Sequence, residues 1–187
     1  MNASSVRIAR TSKHKMKIGI LSDSHKRVGR SGQVIDLLKE NGAQQLIHAG
    51  DIVKVEILDL LEKSTLPYIA VYGNNDAHLH HVDHHYNLVQ EPYHFTIEGL
   101  TATLMHHPTY LTYERDIMIY GHTHDFDARY DNNTLIMNPG ESCARDKPLS
   151  ECILLDIQEK FYELRYYYRA IKTDIWAYKT YKFERDK

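Results

Sequence analysis

Cysteine, long apolar runs and net charge are all scarce in this sequence, and each shortage excludes a class of protein. Cys143 and Cys152 are the only cysteines in 187 residues, too few for a disulfide framework or a sulfur-rich zinc site. No apolar run approaches the ~20 residues that cross a bilayer, and the N-terminal region has no apolar signal-peptide core. We therefore expect a protein of the reducing cytoplasm without a membrane partner.

Positive and negative charges nearly balance along the chain. Lys and Arg number 23 and Asp and Glu number 25, which gives a net charge of −2. Nucleic-acid binding depends on clustered basic residues that neutralise phosphates, so no nucleic-acid partner is expected. Histidine is the residue in excess, with 13 copies, and the functional question is which of them are ligands.

The first 15 residues are polar and basic and show no periodicity. We predict that residues 1–15 form a disordered N-terminal extension, and Met16 is a candidate for the true start. Residues 16–187 contain no repeat and no clear boundary, and their number is that of one ordinary domain. We therefore predict a single domain over 16–187.

Short apolar runs alternate with amphipathic segments in the first half of the chain. The periodicity predicts strands and helices in strict alternation, over residues 16–21 (strand), 31–41 (helix), 45–49 (strand), 55–62 (helix) and 68–72 (strand). This order predicts a layered α/β fold with a parallel sheet. Ligands of such sheets bind at the carboxyl ends of the strands.

The second half is rich in strands. The apolar runs predict seven, over residues 93–98, 101–105, 116–120, 126–130, 134–137, 152–157 and 161–168. Residues 131–133 and 158–160 are typical hairpin turns. Two sheets packed face to face, with helices outside, accommodate both halves. The tyrosines from 162 onward indicate either a half-buried strand face or a homo-oligomer interface, and the sequence leaves both open.

Five polar clusters follow predicted strands. They are Asp23-Ser24-His25, Gly50-Asp51, Gly73-Asn74-Asn75-Asp76, His106-His107 and Gly121-His122-Thr123-His124. Each alone is common in turns and helix caps. Their recurrence in order at strand ends indicates one shared site.

The residue types of these clusters indicate a metal. Asp23 and His25 stand two positions apart and can point to the same side, and His122 and His124 repeat that spacing. Carboxylate oxygen and imidazole nitrogen suit a divalent transition metal, and without sulfur the choice among manganese, iron, zinc and nickel stays open. Glycines at the strand ends allow sharp turns beside a ligand.

The ordered pattern Asp-x-His, Gly-Asp, Gly-Asn-x-Asp, His, Gly-His-x-His resembles the calcineurin-like metallophosphoesterases. The compact length and the run Asn138-Pro139-Gly140 resemble the small YfcE-type phosphodiesterase branch, over about residues 16–168. The resemblance implies an α/β fold, namely a four-layer αββα sandwich of two mixed β-sheets flanked by helices. It also implies two divalent metal ions at the strand ends, with manganese expected first.

The same resemblance implies seven metal ligands. They are Asp23, His25 and His124 on the first ion, Asn74, His106 and His122 on the second, and Asp51 bridging both. Asp51, Asn74 and His106 are the expected catalytic residues. The implied reaction is hydrolysis of a phosphoester by in-line attack of a hydroxide that bridges the two ions.

Two positions depart from the family pattern. Asn75 stands where many larger members have a histidine thought to assist the leaving group, and an amide is not a general acid. This favours substrates with good leaving groups, or another acid. His107 and Pro108 stand where the small branch commonly has glycine and histidine, which weakens metal binding unless His107 compensates.

Further histidines and basic residues lie outside the ligand pattern. The run of five histidines from His78 to His85 has pairs at helical spacing and is either a third metal site or a solvated segment. His78, Lys26 and Arg27 are the candidates for contacting the substrate phosphate.

The sequence therefore predicts a metal-dependent phosphoesterase, most strongly a phosphodiesterase, acting on a small phosphoester. The alternative is a catalytically weak metal-binding scaffold that resembles the retromer subunit of this fold. The complete ligand set favours the enzyme. Such chemistry requires no protein nucleophile, so Cys143 is expected to be structural.

Overall fold

The computed structural model describes residues 16–185, so the predicted extension 1–15 lies outside the described residues. The described elements are β1 (Met16–Leu21), α1 (Val28–Glu40), β2 (Gln45–His48), α2 (Val55–Lys63), β3 (Tyr68–Val71), β4 (Leu88–Val89), β5 (Tyr93–Ile97), β6 (Leu100–Leu104), β7 (Ile117–Ile119), β8 (Phe126–Asp131), β9 (Thr134–Pro139), β10 (Leu149–Ile157), β11 (Phe161–Ala170) and β12 (Ala177–Glu184). Three short 3₁₀ helices occupy Ala77–His81, Asp83–His85 and Pro108–Tyr110.

The first sheet has seven strands in the order β12-β11-β10-β1-β2-β3-β4. β1 to β4 pair in parallel, because α1 and α2 carry the chain back between the first three strands. β10 pairs antiparallel with β1, and the hairpin turns at 158–160 and 171–176 extend the sheet antiparallel through β11 and β12. Central β1 is buried over its last four residues.

The second sheet has five strands in the order β5-β6-β7-β9-β8. β6, β7 and β9 are parallel, and the flanking strands β5 and β8 are antiparallel to their neighbours. The predicted hairpin between β8 and β9 is confirmed, and Asn132 and Asn133 both adopt positive φ, at 47° and 62°. Positive φ at two central residues matches the twist of a two-residue hairpin.

The two sheets pack face to face around the largest apolar core. Ile20, Ile47, Leu104, Ile119 and Leu164, all fully buried, belong to that core. A second core lies between the seven-stranded sheet and the two α-helices. On the far side of the five-stranded sheet, the helical layer is the 3₁₀ helix Pro108–Tyr110, and Leu111 packs there on a small buried cluster. The predicted fold class, two mixed sheets in an α/β sandwich, is confirmed.

Three segments differ from the periodicity-based expectations. The histidine run forms two short 3₁₀ helices, so its i, i+4 pairs do not share one α-helical face. β4 is two residues long, too short to show a period. β12 is an exposed edge strand whose burial alternates weakly, so its apolar pattern is faint. Neither α-helix within residues 16–185 has the length and apolarity needed to cross a bilayer.

The sandwich core generates a stability prediction. Ile20→Ala, at a fully buried site between the sheets, should lower the free energy of unfolding by about 2–5 kcal/mol because it removes buried methyl groups and leaves a cavity. Ile175→Ala is the matched control, since Ile175 is 79% exposed and should change stability by less than about 0.5 kcal/mol. Urea unfolding followed by circular dichroism measures both. Equal losses for the two variants would contradict the described packing.

Candidate metal centre

The five polar clusters meet at one edge of the sandwich. β1, β2 and β3 are parallel neighbours, so the loops after them open at the same edge of the first sheet. The loops after β6 and β7, also parallel neighbours, bring their histidines to the same place from the second sheet. The polar loops of two sheets thus converge on one site.

One group of donor atoms is formed by Asp23, His25 and His124. The Nε2 atoms of the two histidines lie 3.1 Å apart. Asp23 Oδ1 is 3.3 Å from His124 Nε2 and 3.8 Å from His25 Nε2. All three side chains are at most 8% exposed.

A second group is formed by Asn74, His106 and His122. Asn74 Oδ1 lies 3.0 Å from His106 Nε2 and 3.1 Å from His122 Nδ1. The two ring nitrogens are 3.3 Å apart. Asp51 stands between the groups, with its Oδ2 atom 3.4 Å from His25 Nε2 and 3.6 Å from His106 Nε2.

These separations fit two divalent cations. Metal–ligand bonds of about 2.0–2.2 Å at angles of about 90–120° place neighbouring ligand atoms roughly 2.8–3.8 Å apart. Asp23 Oδ1 is buried and accepts no hydrogen bond of good geometry within residues 16–185, although His124 Nε2 lies 3.3 Å away. Because an unsatisfied buried oxygen is costly, this atom is suited to a cation. The donor set therefore fits the metals that the sequence predicts.

The backbone around the site is strained. Asp23, His25, Asp51, His122 and His124 all adopt positive φ, between 36° and 69°. Non-glycine residues rarely adopt this region, and each such residue costs on the order of 1 kcal/mol. Strain concentrated in one place is typical of a functional site.

Glycine is required where two of these loops touch. A Cβ atom on Gly73 would lie 2.2 Å from the backbone nitrogen of Asp51, and one on Gly121 would lie 2.1 Å from Ser22 Oγ. Both contacts are far below normal van der Waals distance. The glycines thus allow the loops to approach closely enough for their side chains to meet.

Asp76 holds two of the ligand loops together. Its buried carboxylate accepts hydrogen bonds from the backbone N–H groups of Ile52 at 3.0 Å, Val53 at 2.7 Å and Gly73 at 2.8 Å. Asn75 adds two bonds to Asp51, from its backbone N–H to Oδ1 at 2.9 Å and from Nδ2 to Oδ2 at 2.8 Å. Asn75 and Asp76, the last two residues of the Gly-Asn-x-Asp motif, therefore orient Asp51 and its loop.

Glu141 is a buried carboxylate that the sequence-based reasoning missed. Its Oε2 atom accepts a hydrogen bond from His124 Nδ1 at 2.9 Å, and Asp146 Oδ2 also lies 2.9 Å from that nitrogen. Glu141 further accepts the backbone N–H groups of Asp146 at 2.8 Å and Lys147 at 2.6 Å. A proton held on Nδ1 leaves Nε2 of His124 free for a cation. The acidic residue directly after Asn138-Pro139-Gly140 was the available signal.

In His106, too, a hydrogen bond from Nδ1 leaves Nε2 free to face the site. His106 Nδ1 donates to the carbonyl oxygen of Ala49 at 2.9 Å, which leaves its Nε2 directed at the site. Burial lowers the pKa of His25 and of His122 below the ordinary value, so both are neutral and able to act as ligands at neutral pH. His48, fully buried beneath them, has a pKa lowered to about 4 by burial.

A cavity of about 590 Å³ opens beside the first donor group. Its lining residues are His25, Lys26, Arg27, Val53, Asn75, His78 and Arg145. The three predicted phosphate contacts, Lys26, Arg27 and His78, thus share one cavity. His78 Nε2 already donates to the carbonyl oxygen of Val53 at 2.8 Å, so its donor is engaged. Sequence reasoning did not identify Arg145.

The remaining candidates lie outside the two donor groups. Within residues 16–185, none of the side-chain clusters able to hold a metal includes a histidine of the 78–85 run. His107 packs on the His122 ring with centroids 4.0 Å apart. Cys143 donates to Glu141 Oε2 at 3.2 Å, and burial raises the pKa of its thiol to about 12. Such a protonated thiol is a poor nucleophile.

Comparison with known proteins agrees with this geometry. The sequence matches the calcineurin-like phosphoesterase superfamily domain over residues 16–160. Phosphodiesterase MJ0936 from Methanocaldococcus jannaschii is 29% identical over 161 residues, which cover 79% of this chain and 96% of that protein. Vacuolar Protein Sorting 29 from Cryptosporidium parvum superposes with a TM-score of 0.74 at 18% identity, over 92% of this chain and 100% of that chain. The phosphoesterase YfcE from E. coli superposes with a TM-score of 0.65 at 22% identity, over 79% of this chain and 91% of that chain.

The chain therefore belongs to the calcineurin-like phosphoesterase superfamily, and the resemblance drawn from its polar motifs is confirmed. Its relatives are consistent with the small YfcE-type branch. The likeness to Vacuolar Protein Sorting 29, at 18% identity, concerns the fold alone. Family membership supports a hydrolase.

The contact between Glu141 and His124 generates a metal-affinity prediction. Glu141→Gln should weaken manganese binding by about 10–100-fold, because loss of the carboxylate partner of a ligand histidine costs about that much. Titration calorimetry on chelator-stripped protein measures the change, and circular dichroism checks the fold. Glu159→Gln, in the exposed turn before β11, is the matched control and should bind manganese like the unaltered protein. Unchanged affinity in Glu141→Gln would remove this residue from the metal site.

Proposed function

We propose that the protein is a metal-dependent phosphodiesterase that hydrolyses small phosphodiesters at a two-metal centre. The observation that carries the proposal is the position of Asp51, whose Oδ2 atom lies within 3.6 Å of a donor nitrogen in each of two groups. A shared carboxylate between two donor groups is the arrangement that a binuclear centre requires. The chain that carries this carboxylate belongs to a superfamily of phosphoesterases.

The seven side chains have distinct proposed roles. One cation would be held by Asp23, His25 and His124. The other would be held by Asn74, His106 and His122. Asp51 would contact both cations. Two divalent ions held there would make hydroxide available at neutral pH for in-line hydrolysis and would offset the charge on the phosphate oxygens. Asn75 keeps both oxygens of Asp51 in place, and Lys26 and Arg27 attract the anionic substrate. Manganese is the first metal to test, followed by iron, nickel and zinc.

The alternative function is that of a metal-binding scaffold. Its support is the shared fold with Vacuolar Protein Sorting 29. The enzyme is favoured because all seven donor side chains are present and because a cavity with basic residues adjoins them. Cytoplasmic location, the lack of nucleic-acid and membrane partners, the single domain and homo-oligomerisation stay predictions from the sequence.

The proposal is tested at Asp51. Chelator-stripped protein refilled with manganese should hydrolyse bis-p-nitrophenyl phosphate, and Asp51→Asn should reduce kcat/KM by about a thousandfold or more because the shared charge is lost. Asp36→Asn, on the exposed face of α1, is the matched control and should keep full activity. Full activity in a folded Asp51→Asn variant, or no metal-dependent activity in the unaltered protein, would contradict the proposal.

The amide at position 75 generates a second prediction. Asn75 hydrogen-bonds Asp51, and an amide does not protonate a leaving group, a step that contributes about 10²–10⁴-fold where a general acid performs it. We expect kcat to fall steeply as the leaving group becomes more basic, by about 10²-fold or more between p-nitrophenyl and phenyl esters of methyl phosphate. Rates across a series of substituted phenyl esters measure the slope. A flat series, with chemistry rate-limiting, would indicate that another residue supplies the proton.

A further inference from the structure

The cavity beside the metal centre has a strongly cationic lining. Lys26, Arg27 and Arg145 contribute three positive charges, of which that of Arg145 is paired with Asp146 at 3.0 Å, and no Asp or Glu within residues 16–185 is among the lining residues. The protein as a whole carries a net charge of −2. The local excess of positive charge is therefore a property of this cavity rather than of the surface in general.

Lys26 and Arg27 are not neutralised by neighbouring carboxylates. Both side chains are exposed, and neither forms an ion pair with an acidic residue of the described chain. The loop that carries them is fixed by backbone hydrogen bonds from His25 N–H to the Asp51 carbonyl oxygen at 3.0 Å and from Arg27 N–H to that of Ser24 at 2.9 Å. The two charges are thus anchored next to the first donor group.

Arg145 links the cavity to the donor group. Its Nη1 atom donates to His25 Nδ1 at 3.3 Å, and its Nη2 atom lies 3.5 Å from His124 Nε2. A neutral imidazole that gives its Nε2 lone pair to a cation carries its proton on Nδ1, so His25 cannot then accept from Arg145. Metal binding would therefore free the Nη1 and Nη2 donors of Arg145 at the mouth of the cavity, while Nε still donates to Asp146 Oδ1 at 3.0 Å.

The scissile phosphate does not account for these charges. The seven proposed ligands include two carboxylates, Asp23 and Asp51, and the nucleophile is a hydroxide, so two divalent cations would leave one positive charge in excess. That excess is sufficient for the single negative charge of a diester. The cations of the cavity are then available to a different anionic group.

Resting on the proposed function, we infer that the cavity binds a second anionic group of the substrate, so the natural substrates are phosphodiesters that also carry a phosphate or carboxylate. Lys26, Arg27 and the freed guanidinium of Arg145 form the subsite for that group. A cavity of about 590 Å³ is large enough for a substrate portion of nucleoside size.

A matched pair of esters tests the inference. The p-nitrophenyl ester of thymidine 5′-phosphate, with and without a 3′-phosphate, is assayed with manganese-loaded protein, since only cleavage of the diester releases p-nitrophenolate. The 3′-phosphate should raise kcat/KM by about tenfold or more at low salt, because hydrogen bonds to charged groups contribute this much, and added salt should reduce the advantage. The double variant Lys26→Gln/Arg27→Gln should bring the ratio of the two kcat/KM values close to one.

The control is Arg129→Gln/Lys160→Gln, which removes the same charge from exposed positions on β8 and in the turn before β11 and should keep the ratio. Calorimetry on manganese-loaded protein, comparing thymidine 3′,5′-bisphosphate with thymidine 5′-phosphate, provides a readout independent of turnover. Equal kcat/KM for the two esters together with equal binding of the two nucleotides overturns the inference and leaves the phosphodiesterase intact. Tighter binding of the bisphosphate that depends on Lys26 and Arg27, without hydrolysis of either ester, upholds the subsite and overturns the proposed activity.

Discussion

The placement of Asp51 is the constraint on which the rest of the site depends. Its carboxylate is nearly buried between two groups of imidazole nitrogens, on a residue with φ of 56°. The close approach of Gly73 and the two hydrogen bonds from Asn75 keep it there. A buried charge is costly unless it is paired or coordinates a metal. A geometry that crowds the carboxylates of Asp23 and Asp51 among imidazole nitrogens is therefore best explained by cations.

Much of the fold was predictable because it rests on local apolar patterns. The runs that became β1, β2 and β3 are short, continuous and interrupted by helical periods, which together favour a buried parallel sheet. β12 was not predicted because an exposed edge strand buries few side chains and shows little alternation of apolar and polar residues. The layer outside the five-stranded sheet was expected to be helical, yet Pro108 opens only a 3₁₀ turn there.

The candidate ligands were predictable for a different reason. Each pair, such as Asp23 with His25, is adjacent in sequence and follows a strand, so topology alone brings the pairs to one edge. Glu141 and Arg145 lie on a loop before β10 and meet the site only through tertiary contacts with His124 and His25. No spacing rule connects Glu141 with His124, 17 positions away, or Arg145 with His25, 120 positions away, so their roles required the folded chain.

The choice between enzyme and scaffold depends on the side chains and not on the sheets. A TM-score of 0.74 with Vacuolar Protein Sorting 29 and one of 0.65 with YfcE report strands and helices that both functions share. The strained loops carry more information, because five ligand candidates in the left-handed region cost several kcal/mol in total, on the order of 1 kcal/mol each. A protein that never bound metal would gain stability by relaxing them, so the strain indicates bound metal in an enzyme and in a metal-binding scaffold alike, and it is the cationic cavity that favours the enzyme. Retention of the strain, together with a cationic cavity beside it, argues for a site at which an anion meets bound metal.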